Sequence, residues 1–522
     1  MAVVSATTFT DGLFVVEHLS LTFLLDTNAV ITLEPFSGAA EPNHSVLAEF
    51  LRIAREHGHH VVTHPANEAD LLETADTTHR DANLRALDKY ERIEEPPISA
   101  EFLAKAGSPV IGTNDYRDLR LLAALQAGAA THLVTSDERL IRKSARVDLS
   151  ERVLRPVEAK DFLRTLYPDD PPAPPQVKLV SASLLHLDEA IFDSLRADYE
   201  FDVWMRTKVA PDLTRRTWIV EDIDGGYRAI AIVKPVDDHP LVAGKKAMKL
   251  STFKVDAKAG GEKLGELLLK TVLAWAHEMH MASMFVTVIK DDDKEQLVRF
   301  LELFGFVDLG LLPNSETEWV FEKTLIPSLS VTVSHLEYHV LYGPPAISSD
   351  SPVYVIPIQP NWYAGLFPDS PSADTALPGM SGIEIGPFGN AIRKAYLSNA
   401  SIKALPPGAT ILFYRSAEKQ TGRRSATGAV VAVGVVETTL RTYDPAEVLE
   451  LVGRRTVYSA EQVASLCESG VIAVLFRQDR FLPEAWSLSE LIAASVLKAQ
   501  PQAIMQVSNI KGIQWVHQQL SA

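Results

Sequence analysis

Apolar and polar positions alternate in blocks along the chain that predict strands and helices. Leu21-Thr-Phe-Leu-Leu-Asp-Thr-Asn28 is a short apolar run ending in acid. Continuous apolar runs of this length suit parallel strands covered on both faces. A helical spacing follows from Ser45 to His57, then a strand at His60-Val-Val-Thr63. Pro65 suits the first turn of a helix that carries Glu68. Gly112-Thr-Asn-Asp-Tyr-Arg-Asp118 opens a helix over Leu119 to Gly128, and Thr131-His-Leu-Val-Thr-Ser-Asp137 repeats the design of strand plus terminal acid.

Further on, Trp218 to Val233 predicts a hairpin turning at Asp224-Gly225. Lys249 to Val255 predicts a strand, Glu266 to Met279 a helix, Met284 to Ile289 a strand and Glu295 to Phe304 a helix closed by Gly305-Phe306. The last third predicts short strands at Ser351–Pro360, Pro406–Arg415, Gly428–Glu437, Ile472–Phe476 and Ala503–Ser508, with a helix over Asn390–Ser398. Prolines in the first of these suit an edge or irregular strand. Short strands with glycine bends suggest a small barrel.

Proline sets the divisions. Tyr167-Pro-Asp-Asp-Pro-Pro-Ala-Pro-Pro175 excludes helix and inner strand and reads as a semi-rigid linker. A weaker break lies near Pro327 to Ser334. The expected organisation is a domain over 20–167, a linker over 168–177, a domain over 178–326 and a domain over 335–522. The length of 522 residues accommodates three domains, and 46% hydrophobic with 22% charged residues excludes a disordered chain or a coiled-coil rod. The single cysteine, Cys467, excludes an intrachain disulfide and multi-cysteine zinc sites, and fits a reducing compartment. A formal charge of −17 argues against a whole-surface phosphate binder, so a nucleic-acid site would need a metal ion or a local basic patch. The third segment is the least acidic and contains Arg423-Arg424 and Arg454-Arg455. The apolar run from Phe14 to Leu25 contains Glu17 and His18 and is too short to span a bilayer. No membrane association is expected, and the expected compartment is the cytoplasm.

The first candidate chemistry is acidic. Asp26, Glu68, Asp118 and Asp137, with Asp115 beside them, fall at strand ends or helix starts of one sheet. A single acid there is ordinary capping. Several at one rim repel one another, and a hard divalent cation, Mg²⁺ or Mn²⁺, would relieve that repulsion. Leu24-Leu-Asp-Thr-Asn28, Glu68, Asn114-Asp-Tyr-Arg-Asp118 and Val134-Thr-Ser-Asp137 resemble PIN-domain ribonucleases over nearly the whole segment. The resemblance implies a parallel-sheet α/β domain. It also implies Mg/Mn-dependent endoribonuclease chemistry at Asp26, Glu68, Asp118 and Asp137, with Asp115 as an auxiliary metal ligand and Asn28 behind them. A toxin-like or defence role and an antitoxin or regulatory protein as partner follow from the same resemblance alone.

The second candidate is a glycine loop, Asp256-Ala-Lys-Ala-Gly-Gly-Glu-Lys-Leu-Gly265, between a strand and a helix. Such loops aim backbone N–H groups at phosphate, although most glycine pairs here are simply turns. The segment resembles the GNAT acyltransferases, an α+β family. That resemblance implies acetyl-CoA held by Val255, Gly260, Gly261, Lys263, Leu264 and Gly265, with Leu268 below. The Leu303-Phe-Gly-Phe306 ending fits the same family. Four positions depart from its pattern. Gly260 stands where Arg or Gln is usual, Lys263 where glycine is usual, Leu301 where many members place a tyrosine general acid, and Lys294 where asparagine is common. Glu221 or Asp222 could serve as a base.

The third segment resembles the ASCH/PUA-like superfamily, loosely and without a sharp motif. It implies a C-terminal PUA-like β-barrel that binds RNA through Lys394, Tyr414, Arg415, Arg441 and Trp486. The opposing reading makes the aromatics core and the arginines a solvated face. The fold class expected is therefore a multidomain α/β protein. The leading functional expectation is an endoribonuclease with an appended acetyl-CoA-binding domain and an RNA-binding domain. The alternative is an N-acetyltransferase in which the first domain is a scaffold. A second alternative is a non-catalytic acetyl-CoA-sensing adaptor.

Overall fold

The computed structural model describes residues 20–33, 43–167, 175–198, 200–222, 225–242, 244–256, 259, 263–290, 294–313, 315–327, 333–370, 391–416, 428–455 and 457–521. Its architecture is multidomain α/β. Two compact units emerge. The first is drawn from the described residues within Met1–Asp169, Thr442–Arg454 and Tyr458–Gly470, the second from those within Asp170–Arg441, Arg455–Val457 and Val471–Ala522. Most of the linker, 168–174, lies outside the described residues.

In the first unit, β1 (Thr22–Leu25), β2 (His60–Thr63), β3 (Glu91–Arg92), β4 (His132–Val134) and β5 (Val153–Leu154) form a sheet of order β3-β2-β1-β4-β5. Every pairing is parallel. Helices cover the sheet, so β1 and β4 are buried and read as apolar runs. The expected helix at Ser45–His57 is His44–Glu56, and that at Leu119–Gly128 begins earlier, at Asn114. Pro65 is the first helical residue of Pro65–Leu71. The strand order reverses across β1 and β4, so their carboxyl ends border the crevice that open α/β sheets use for ligands.

The second unit contains two sheets. One has order β11-β12-β10-β9-β8-β7-β6. Its strands are β6 (Val177–Val180), β7 (Arg216–Glu221), β8 (Tyr227–Val236), β9 (Ala247–Val255), β10 (Ser283–Ile289), β11 (Val307–Leu311) and β12 (Glu318–Thr324). All neighbours are antiparallel except β9 and β10, which the helix Leu264–Glu278 connects. That crossover is what a parallel pair requires. Leu267, Leu268, Val272 and Ala276 of the helix bury against Met248, Leu250, Met284 and Val286 of the sheet. The opposite face carries Ile219, Ile230 and Ile232 under Phe192, Phe201, Met205 and Val209.

The last sheet has order β14-β17-β16-β15-β13-β18. Its strands are β13 (Val353–Ile358), β14 (Arg393–Ser398), β15 (Thr410–Arg415), β16 (Ala429–Thr442), β17 (Val471–Ser487) and β18 (Met505–Gln506). Two expectations are corrected here. The C-terminal barrel is an open sheet, since among the described residues no pairing joins β14 to β18. The expected helix at Asn390–Ser398 is β14. Its four central residues are all buried, and Arg393 is held by Glu437 at 2.8 Å. The strand expected over Ala503–Ser508 shrinks to two residues. Proline in β13 is tolerated because, among the described residues, β18 pairs only with Tyr354 and Val355 and leaves Pro357 without a strand neighbour on that side.

One backbone contact fixes the end of the helix Glu295–Leu303. Gly305 has φ +79°, and a Cβ there would collide with the Val340 carbonyl oxygen. Lys323 Nζ, fully buried, donates to that oxygen at 2.9 Å, to Phe304 O at 2.8 Å and to Leu341 O at 3.1 Å. Glycine is thus required both by conformation and by space. We expect Gly305→Ala to cost about 3 kcal/mol or more, measured by denaturant unfolding, with no loss from Gly58→Ala beyond the usual positive-φ penalty of about 1 kcal/mol.

Candidate functional site

The parallel pair β9/β10 is where the second unit opens. Its register runs only over Ala247–Lys249 against Ser283–Phe285. β9 nevertheless continues to Val255, held on its other side by β8, with a bulge where Ile232 faces Thr252 and Val233 faces Leu250. β10 likewise continues to Ile289, held by β12. Both strands persist while their facing edges separate. Among the described residues, the β9 edge from Leu250 to Val255 therefore has no ladder partner on the β10 side. Six residues of strand leave about 20 Å of backbone with donors and acceptors to satisfy.

The mouth of this gap is the helix Leu264–Glu278. Lys263, in the left-handed region at φ 57°, caps it, and its side chain makes no hydrogen bond to the first N–H groups. A Cβ on Gly265 would stand 3.5 Å from the Phe300 ring and 3.7 Å from Val255 Cγ2, so the first turn packs on the end of β9. Leu264 and Leu268 are buried. Glu266 could have cancelled the positive helix end. Instead its Oε2 accepts from Ile392 N at 2.8 Å and Arg393 N at 3.1 Å. The mouth keeps the helix-terminal N–H groups and the Lys263 ammonium, 3.8 Å from Glu266 Oε1. That combination favours phosphate. Gly260 and Gly261 lie outside the described residues.

The acids suggested as bases have structural duties. Glu221 holds Lys178 Nζ at 2.5 Å, and Asp222 Oδ1 accepts from Gly226 N at 2.7 Å across the hairpin turn. Leu301 is fully buried in the core. On the face away from the helix, Lys234, Lys249, Phe285 and Glu322 stand side by side across β8, β9, β10 and β12. Lys249 was not singled out from sequence. The available signal was a lysine in an otherwise apolar stretch, Ala247-Met-Lys-Leu250.

In the first unit, Asp26 ends β1 and is buried. Its Oδ2 accepts from Thr135 Oγ1 and Asn28 Nδ2, both at 2.6 Å, and its Oδ1 from Thr27 N at 2.7 Å. Asp137 caps the helix Glu138–Arg146 through Arg139 N at 2.7 Å. Burial pushes the Asp26 carboxyl up to about 7, against the pull of these hydrogen bonds, and Asp118 and Asp137 add repulsion. The remaining acids are neutralised by the chain itself. Lys143 Nζ bridges Asp115 and Asp118 at 2.6 Å each, and Glu68 pairs with Arg92 at 2.8 Å. The Lys143 contact holds Asp115 below the usual carboxylate range, while burial raises Asp118. Among the described residues, no group of three or more His, Cys, Asp or Glu side chains is placed to hold a metal ion.

Two of the five residues expected to bind RNA are buried. Tyr414 and Lys394 are buried in the last sheet, so neither can stack on a base or reach a phosphate from there. Arg415 lies half-buried over the Tyr363 ring, 5.7 Å from its centroid. Arg441 donates to Ala400 O at 2.6 Å and Ile402 O at 3.1 Å. Trp486 packs edge-on against Trp515, centroids 5.0 Å apart. Arg423 and Arg424 lie outside the described residues, and Arg455 is buried. Among the described residues no helix is long and apolar enough to cross a membrane.

No protein-family model matches the chain, and no curated protein matches it. Solved structures do. Ard1 from Thermoplasma volcanium is 15% identical, covering 29% of this chain and 99% of its own, with a TM-score of 0.23. A GNAT-family acetyltransferase from Staphylococcus aureus Mu50 is 14% identical, covering 29% and 100%, with a TM-score of 0.24. A point mutant of ZmASCH from Zymomonas mobilis is 15% identical, covering 31% and 93%, with a TM-score of 0.22. Likeness at this level does not by itself decide function. The expectation of an endoribonuclease is corrected: three of the five acids expected to bind metal are ion-paired to Lys143 or Arg92, and no group of three or more ligating side chains among the described residues is placed to hold the ion that chemistry needs.

Asp26 yields a pH test. Its folded pKa of about 7 lies above the ordinary aspartate value of 3.8, so the folded state holds the proton longer. The stability it contributes is present below about pH 4 and lost as pH rises through about 7. The first unit should lose up to about 4 kcal/mol over that window, read from the pH dependence of amide exchange in β1 and β4. Asp26→Asn should flatten that slope whatever it does to absolute stability.

Proposed function

We propose that the β6–β12 sheet and its helices form an acyl-CoA-binding module of the N-acyltransferase type, taking acetyl-CoA as ligand and an amine as acceptor. The observation that carries this reading is the early end of the β9/β10 register directly ahead of an uncapped helix. The unpartnered β9 edge suits an amide-bearing chain that adds to it as a strand would. The helix mouth with Lys263 suits the diphosphate at the other end of the same ligand. Edge and mouth adjoin at Val255 and Gly265.

Acyl-CoA, when bound, supplies a thioester. The chain's own contributions are positional. Leu250–Val255 offers backbone donors and acceptors along one line, and Lys263 and the first turn of the helix neutralise phosphate charge. Leu301 supplies no proton, and Glu221 and Asp222 are engaged elsewhere, so the proton leaving an amine acceptor must pass to another group or to water. The first unit serves this reading as a scaffold, and RNA recognition by the last sheet is a separate proposal for which Arg415, Arg441 and Trp486 are the candidates with some exposure.

Isothermal titration with acetyl-CoA tests the module. We expect binding that weakens with ionic strength, and Lys263→Glu should weaken it about tenfold, about 1.4 kcal/mol, by reversing one charge at the mouth. No binding by the wild-type chain, or no effect of Lys263→Glu at low salt, contradicts the assignment.

A further inference from the structure

We propose that Lys249 is a built-in acylation site, an amine at the closed end of the β9/β10 gap that accepts an acyl group from a thioester lying in it. The inference rests on the acyl-CoA reading above and adds to it a covalent acceptor within the chain.

The geometry comes first. Lys249 opposite Phe285 is the last paired position before the strands part. A ligand whose phosphate end sits at Lys263 and whose chain follows β9 therefore ends at this residue, about 20 Å away. Met248 and Leu250 face the helix in the core, so the Lys249 side chain leaves from the other face of the sheet. Its Cα partners are Lys234 on one side and Phe285 on the other.

The neighbouring amines are engaged. Lys234 Nζ lies 2.9 Å from Asp212, Lys245 Nζ lies 2.5 Å from Glu322, and Lys290 pairs with Asp308. Lys254 donates to Ser194. The Lys249 ammonium, half-buried, makes no hydrogen bond or ion pair with the described residues. Burial pushes it below the usual lysine range, with Glu318 opposing and Arg215 and Lys234 reinforcing the shift. A desolvated lysine beside other cations is the environment that makes an amine nucleophilic.

The step balances without a further reagent. The neutral Lys249 nitrogen attacks the thioester carbonyl carbon. A C–N bond forms and the C–S bond breaks. The proton shed by nitrogen ends on the departing sulfur, giving an Nε-acyl-lysine and a free thiol. Acylation would remove a positive charge from the row of Lys234 and Arg215.

The full-length chain serves for the test, with two readouts. The first needs no acyl group: trace labelling of lysines by acetic anhydride, with and without CoA, followed by peptide mapping. CoA should shield Lys249 and leave Lys178 unchanged. The second is peptide mapping after incubation with acetyl-CoA. A single acetyl group on Lys249 is expected, abolished in Lys249→Arg. Glu318→Gln should speed it, by up to about tenfold for each pKa unit by which the amine is further lowered. Binding of CoA without shielding or acetylation of Lys249 overturns this proposal and leaves the acyl-CoA site standing. Failure of CoA to bind overturns both.

Discussion

A parallel strand pair that stops after three residue pairs is the constraint around which the second unit is arranged. β9 and β10 are joined at Ala247–Lys249 and Ser283–Phe285, then diverge while each stays bonded to its outer neighbour. Backbone polar groups in a sheet interior are normally satisfied, so an internal edge left open must be solvated or filled. The same divergence places the uncapped start of Leu264–Glu278 at one end of the gap and Lys249 at the other. Binding at the mouth and reactivity at the apex are two consequences of one register.

Charge placement supports this arrangement. Glu266 is an acid in the first turn, where it would ordinarily favour the helix and repel phosphate. Its carboxylate is spent on the backbone N–H groups of Ile392 and Arg393 at the start of β14. One oxygen of that carboxylate is thereby turned to the last sheet, while the other lies 3.8 Å from Lys263 Nζ. Arg477 extends the same seam, donating to Glu437 at 2.6 Å and to Leu303 O at 3.1 Å. In the first unit the logic differs. Lys143 and Arg92 neutralise Asp115, Asp118 and Glu68, and Asp26 is left as a buried carboxyl in a shell of Asn28, Thr27 and Thr135.

Local elements were legible in the sequence where local physics decides them. The apolar run before Asp26, the proline at the start of Pro65–Leu71, the strand through Lys249–Val255 and the helix Leu264–Glu278 all read directly. β14 did not. Arg393-Lys-Ala-Tyr-Leu-Ser398 contains good helix formers, and its strand state comes from pairing with β17 and from Glu437 receiving Arg393, both remote in sequence. The barrel expectation failed for a similar reason, because closure depends on whether two distant edges meet. The acids of the first unit were found, but not the cations that pair with them. Lys143 and Arg92 carry no sequence signal that links them to Asp118 or Glu68. The β9/β10 divergence was equally invisible, since register is a property of two strands and not of either alone.

The most direct measurement of the central claim is hydrogen exchange resolved to single amides in β9, with and without CoA. The account predicts that amides between Leu250 and Val255 which point toward β10 exchange rapidly in the free chain and become protected on binding, together with the first turn at Leu264. Protection confined to other parts of the chain, or slow exchange along that edge before any ligand is added, would contradict it.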